Sequence, residues 1–180
     1  ISMIDEKGYR AGVGIILVNA KGQLFWAKRV QQKSYQFPQG GMDVGETPED
    51  TLYRELYEEV GLKKGDVRLI SSSRRWLRYQ LPKHFIRHGS LPLCIGQKQK
   101  WFLLEFIGDE KNINFNATQT PEFDDWCWVD FWHPMKEVIH FKKRVYRLVL
   151  KEFESKLPNA KKSHGRARGY LARRSKRQPY

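Results

Sequence analysis

Cysteine is scarce in this chain: Cys94 and Cys127 are the only two in 180 residues, and neither stands in a CxxC or His-rich spacing. A zinc site of the usual kind is thereby excluded, and both thiols are expected to be buried in a protein of a reducing compartment. Long apolar runs are missing as well. No stretch of about 18 apolar residues occurs and no charged-then-apolar leader opens the sequence, so neither a membrane span nor a signal peptide is expected. A soluble, cytoplasmic protein with no membrane partner is the default. Acids are absent from one end: nine lysines and arginines and no Asp or Glu lie between Lys156 and Tyr180, which leaves +4 of the net +13 for residues 1–155. With no apolar periodicity, residues 158–180 are expected to be a basic, disordered tail, either a solubilising terminus or a phosphate-attracting arm for nucleic acid.

What is present suffices for one core. Hydrophobic residues make up 40% of the chain and aromatics 13%, enough to bury one globular domain, taken as residues 3–157, rather than two. "VGIILVN" and "QLFWAKRV" flank "AKG", with Gly22 as the turn residue, which predicts an early hairpin. "VRLISSSRRWLRYQLP", "KQKWFLLEFIG" and "EFDDWCWVDFWHP" are rich in β-branched and aromatic residues and predict further strands. After Pro134, Val138, Phe141, Val145, Leu148 and Val149 recur at helical spacing and predict a helix with one face on the sheet.

The best-marked element follows the glycine-rich loop "SYQFPQGGMDVGETPED". Thr47 stands at an N-cap, Pro48 opens the helix, Glu49 and Asp50 sit at its positive end, and Gly61 stops it. At about 100° per residue, Leu52, Tyr53, Leu56, Tyr57 and Val60 fill one arc while Glu55, Glu58 and Glu59 fill another. Like charges at this spacing cost roughly 0.2–0.5 kcal/mol per pair. A merely solvated face would answer them with cations, yet only Glu59 has one four residues on, Lys63, beyond the glycine stop. A divalent-cation site explains the crowding better. Hard cations such as Mg²⁺ take carboxylate oxygens, retain water and share their shell with phosphates, which points to metal-assisted phosphoryl chemistry.

From Gly40 through Glu46 and Arg54-Glu55-Leu56 to Tyr57-Glu58-Glu59-Val60-Gly61-Leu62, the 23 residues match every defined position of the Nudix box. "GYR", "YQFPQGG", "RRWLRYQLP", "CIGQKQKWFLL", "TPEFDDW" and "FKKRVYRLVLKEF" resemble the bacterial RNA pyrophosphohydrolase branch of that family, over nearly everything from Met3 to Leu157. The resemblance implies an α/β fold, a Nudix-type α/β/α sandwich with a mixed sheet, and hydrolysis dependent on Mg²⁺ or Mn²⁺. By position, Glu55, Glu58 and Glu59 would be catalytic metal ligands, one of the last two also taking a proton from water. Glu122 and the Gly40 carbonyl would add oxygens, and Glu46, Arg54 and Gly61 would be structural. Arg10 and Arg29 resemble phosphate-facing positions, and Phe141 and Lys142 the place where a base near the RNA 5′ end is held. Tyr79, Lys98 and Lys100 are further candidates for the groove.

The activity implied is removal of pyrophosphate, or of phosphate stepwise, from triphosphorylated or diphosphorylated RNA 5′ ends, leaving a monophosphate and promoting mRNA decay. Two alternatives stand beside it: a hydrolase of dinucleoside polyphosphates such as diadenosine pentaphosphate, and a non-catalytic RNA-binding protein. Three unanswered carboxylates argue against the second, because they would repel the phosphates that a binder must hold.

Overall fold

The apolar run after Tyr9 becomes the axis of an eight-stranded mixed sheet. The computed structural model describes residues 3–158; apart from Pro158, the expected basic tail lies outside the described residues. In chain order the elements are β1 (Tyr9–Val18), β2 (Leu24–Arg29), β3 (Tyr35–Gln36), β4 (Gln39–Gly41), α1 (Pro48–Val60), β5 (Val67–Ser72), β6 (Leu77–Gln80), β7 (Gly96–Phe106), β8 (Phe123–Val129), α2 (Pro134–Glu137) and α3 (Lys143–Glu154). The strand order is β3-β2-β1-β7-β5, with β4 also on β1, β6 on β7 and β8 on β2.

Strand β1 runs parallel to β7 from Tyr9↔Gly96 to Val18↔Glu105 and antiparallel to β4 from Gly12↔Gly41 to Gly14↔Gln39. It is apolar on both faces because both are covered. Val13, Ile15 and Leu17 pack with Leu52, Leu56 and Val60 of α1, while Ile16 and Val18 pack with Val145, Val149 and Phe153 of α3. Each such fully buried side chain contributes roughly 1.5–3 kcal/mol by leaving water. The result is the expected α/β/α sandwich. Gly14 interrupts the apolar series for a steric reason: its Cβ would stand 2.4 Å from the Trp101 indole.

Helix α1 obeys its sequence signals. Thr47 Oγ1 accepts from the Asp50 N–H at 3.1 Å and the Asp50 carboxylate accepts from the Thr47 N–H at 3.0 Å, a closed capping box. Gly61 ends the helix at φ 77°, and its N–H donates to the Tyr57 carbonyl at 2.9 Å.

Several expectations are corrected. The early hairpin forms, but β1 and β2 pair only at Val18↔Leu24; beyond it β1 pairs with β4 and β2 with β3, while β8 lies along the other edge of β2. The stretch from Val67 to Pro82 breaks at Ser73, whose N–H donates to the Trp101 carbonyl at 2.7 Å and whose Oγ accepts from the Trp101 N–H at 3.0 Å. The final helix is split after Glu137, and Leu148 and Tyr57 are exposed. Tyr146, Leu150 and Phe153 are the buried residues that rotate Leu148 outward. Cys127 lies on an outward-facing position of β8 and is exposed rather than buried; Cys94 is half-buried, with its thiol donating to the Gly96 carbonyl.

Candidate active site

A cavity of about 430 Å³ opens at the end of the sheet where β1, β4 and β7 meet. Glu55, Glu58 and Glu59 of α1 line one wall together with Gly40 and Gly41 of β4. Arg10 of β1, Arg29 of β2 and Lys142, just before α3, bring cations to the same space, and Glu122 joins from the loop ahead of β8. Eight residues that the sequence singled out, from six separate segments, therefore share one cavity with acids and cations both facing it.

Local packing fixes the acidic wall. Arg54 lies at the junction of loop and helix: its Nε donates to Glu46 at 2.6 Å, Nη1 to Glu55 at 2.8 Å and to Glu58 at 3.2 Å, and Nη2 to the Gly41 carbonyl at 2.8 Å. Glu46 also accepts from the Thr51 hydroxyl. The Arg54 hydrogen bond, supported by Thr51, holds the Glu46 carboxyl down to about 2, and the same carboxylates push the guanidinium further up. One half-buried, multiply bonded cation thus ties the glycine loop to the glutamate helix.

Further along the wall the balance reverses. Burial pushes Glu55 up to about 7 against the pull of Arg54, with Glu58 adding to the rise. Burial pushes Glu59 up to about 9, reinforced by Glu55 and Glu122. Glu59 Oε2 is buried without a hydrogen-bond partner among the described residues. Carboxyls crowded in this way seek either a proton or a cation.

The residues present fit a divalent ion by that unpartnered oxygen and by their all-oxygen chemistry. They do not form a closed cage: among the described residues no three acids, histidines or cysteines converge on one point. Arg54 draws Glu55 and Glu58 toward itself, and Glu122 stands on a separate, exposed loop. Such an open donor set suits a cation that keeps water and shares its shell with a phosphate.

On the cationic side, Lys142 is buried, and its Nζ donates to Gln36 at 3.1 Å and to Gln39 at 3.2 Å. Burial, with repulsion from Arg29, lowers it to about 8. Arg10 Nε is likewise buried without a partner among the described residues. Tyr79 does not line the cavity. It backs Lys142, with the ring centroid 5.7 Å from Nζ and the hydroxyl accepting from Gln39 Nε2 at 3.2 Å. Phe141 is half-buried beside Lys142, its ring 5.7 Å from that of Tyr79.

Sequence reasoning missed the amides. Gln97 and Gln99 of β7 line the cavity, whereas Lys98 pairs with Asp5 at 2.9 Å and Lys100 donates to the Arg74 carbonyl. Strand alternation places the glutamines and lysines on opposite faces. The period-two pattern of "QKQK" holds this signal, since the two residue types alternate between the faces. Gln39, next to Gly40, and Thr118 and Thr120 line the cavity as well.

Residues 8–149 match the model of the NUDIX domain family. An RNA pyrophosphohydrolase of Photobacterium profundum is 54% identical over 173 residues, 96% of this chain and 99% of its own length. Another from Mannheimia succiniciproducens is 56% identical over 161 residues, 89% of this chain and 82% of its own. Among solved structures, the E. coli dihydroneopterin triphosphate pyrophosphohydrolase superposes with a TM-score of 0.62 at 19% identity, covering 79% of this chain and 93% of that one. A C. elegans Ap4A hydrolase complex gives 0.57 at 14% identity, covering 81% and 98%. At these identities the two structures show a shared fold.

Proposed function

Because the chain belongs to the NUDIX family, we infer that it is an enzyme cleaving phosphoanhydride bonds and that its substrate is the 5′ end of RNA, a triphosphate or diphosphate converted to a monophosphate. The observation that carries this reading is the near-full-length similarity to proteins named RNA pyrophosphohydrolase. The cavity supports it, since acids and cations line the same space, as a metal ion and a phosphate chain bound together require.

The family uses divalent metal ions, and for this chain Mg²⁺ or Mn²⁺ is the proposed one. When bound, the ion neutralises phosphate charge and lowers the pKa of water. Glu55, Glu58 and Glu59 are the proposed residues that hold it, with Glu122 and the Gly40 carbonyl as further oxygens. Either Glu58 or Glu59 accepts the proton of the attacking water. Arg10 and Arg29 bind the phosphates and Lys142 contacts the base held at Phe141, while Glu46, Arg54 and Gly61 hold the loop and helix in register. Phe141, backed by Tyr79, offers a face to a base; stacking of this kind contributes about 1–3 kcal/mol and tolerates any base. Product with a 5′ monophosphate would then be open to nucleases that prefer it, which is the link proposed to mRNA decay.

No helix among the described residues is long and apolar enough to cross a membrane, and a cytoplasmic site of action is proposed from the substrate. The competing substrate class is the dinucleoside polyphosphates. Turnover of a triphosphorylated RNA and of diadenosine pentaphosphate at equal concentration decides between them: the RNA is expected to be strongly preferred, and a large preference for the dinucleotide overturns the substrate assignment.

A further inference from the structure

The row of rings that begins at Tyr79 does not stop at Phe141. Phe85, the last residue of a short turn over Lys83–Phe85, has its ring centroid 5.8 Å from Phe141. His84 lies 4.4 Å from Phe85 in turn. Phe85 is 49% exposed and belongs to neither buried core, so the packing of the domain does not account for a phenylalanine there. The rings lead outward from Lys142, which lines the cavity, to the surface.

The segment that carries His84 and Phe85 has charge of one sign. Between Asp66 and Glu105 the sequence carries eight lysines and arginines and no acid. Two of these are answered from outside the segment, Arg68 by Glu105 and Lys98 by Asp5. Lys83 and Arg87, on either side of the His84–Phe85 pair, are exposed and form no ion pair among the described residues. Exposed rings set among unanswered cations match the two faces of a polynucleotide, an unpaired base and its phosphodiester. A dinucleoside polyphosphate would leave them idle, since it carries one base at each end of its phosphate chain and none linked onward.

We propose that His84 and Phe85 form a second stacking step for single-stranded RNA, taking a base one position farther from the 5′ phosphates than the base at Phe141. This rests on the reading of the substrate as an RNA 5′ end and extends it along the strand. The docked segment is unpaired, because a base in a duplex already has its faces occupied. The step acts on affinity and leaves the chemical step alone, since neither ring lines the cavity.

The test uses triphosphorylated single strands lengthened one nucleotide at a time, with kcat and KM measured for the wild type, Phe85→Ala and Phe85→Trp. Phe85→Ala is expected to raise KM about five- to tenfold once the strand is long enough to reach the step. It should leave kcat unchanged, and KM unchanged for the shortest substrate and for diadenosine pentaphosphate; Phe85→Trp should restore KM. Thermal unfolding verifies that the exposed substitution leaves the fold intact. Wild-type KM for Phe85→Ala at every length overturns the proposal, as does an equal rise for all substrates, which would signal a general disturbance of the site. Binding of a labelled strand by fluorescence anisotropy, without added metal, reads the same step independently of turnover. If the wild type fails to cleave RNA while Phe85→Ala still loses affinity for longer strands, the functional reading falls and the stacking step stands. Equal affinity of wild type and Phe85→Ala removes the step, and the exposed rings would then serve a protein contact instead.

Discussion

The carboxyl group of Glu55 lies directly on the backbone of Gly40: a Cβ at position 40 would stand 1.9 Å from Glu55 Cδ and 2.3 Å from each oxygen. The absence of a side chain at Gly40 therefore sets where the first glutamate of the wall can sit. Gly40→Ala must push the helix or its carboxyl away. Overpacking of this kind costs about 1–3 kcal/mol, and displacement of Glu55 should lower kcat by at least tenfold on the order-of-magnitude scale for misplaced groups. Urea denaturation and turnover measured together check this. Wild-type values for both would mean that β4 does not position Glu55.

Glu59 separates stability from function. Its pKa is raised, first by burial and then by Glu55 and Glu122, so folding without metal favours the protonated form of this group. Glutamine imitates the protonated form, so Glu59→Gln should leave the melting temperature unchanged or raise it. Turnover should fall by orders of magnitude, and Glu58→Gln should lose activity in the same way. Near-full activity in both variants would remove these glutamates from the proposed metal roles.

The Glu46–Arg54 brace should show itself as pH-dependent stability. Glu46 is held near 2 in the folded protein by its Arg54 hydrogen bond, against an ordinary value of 4.5. Above about 4.5 the carboxylate is ionised in both states and its contribution is present in full. Between 4.5 and 2 the unfolded chain takes up the proton first, so the contribution is lost as pH falls. Thermal unfolding of wild type and Glu46→Gln should differ most at neutral pH and converge toward pH 2. A constant difference over that range would mean that the ionised carboxylate is not what stabilises the junction.

The helix and its wall were legible because their signals are local. Thr47, Pro48 and Gly61 fix both ends of α1 without help from elsewhere, and 3.6 residues per turn then sets the glutamates apart from Leu52, Leu56 and Val60. What escaped depends on partners distant in sequence. Nothing within "VGIILVN" says that β7 and β4 will be its neighbours while β2 pairs with β3 and β8, since that choice rests on which strands fit together. The parity of β7 was open for the same reason, and it decides that Gln97 and Gln99, not Lys98 and Lys100, face the cavity. Tyr57 and Leu148 sit at the borders of apolar stripes, where a shift of a few tens of degrees changes burial to exposure.

The basic tail expected at residues 158–180 is tested through its charge. If the basic tail is an electrostatic arm, removing it should weaken RNA binding and flatten the dependence of affinity on salt, because fewer counterions are released from the phosphates. Titrations at several ionic strengths check this. An unchanged slope would leave the tail without that role.

The most direct test follows the bond itself. RNA labelled on its γ-phosphate is incubated with the wild-type protein, with Mg²⁺ and with the metal chelated, and the released label is separated as phosphate or pyrophosphate. The account predicts metal-dependent release together with an RNA left bearing a 5′ monophosphate. Label retained on the RNA in the presence of Mg²⁺ and of Mn²⁺, with the protein folded, would contradict it.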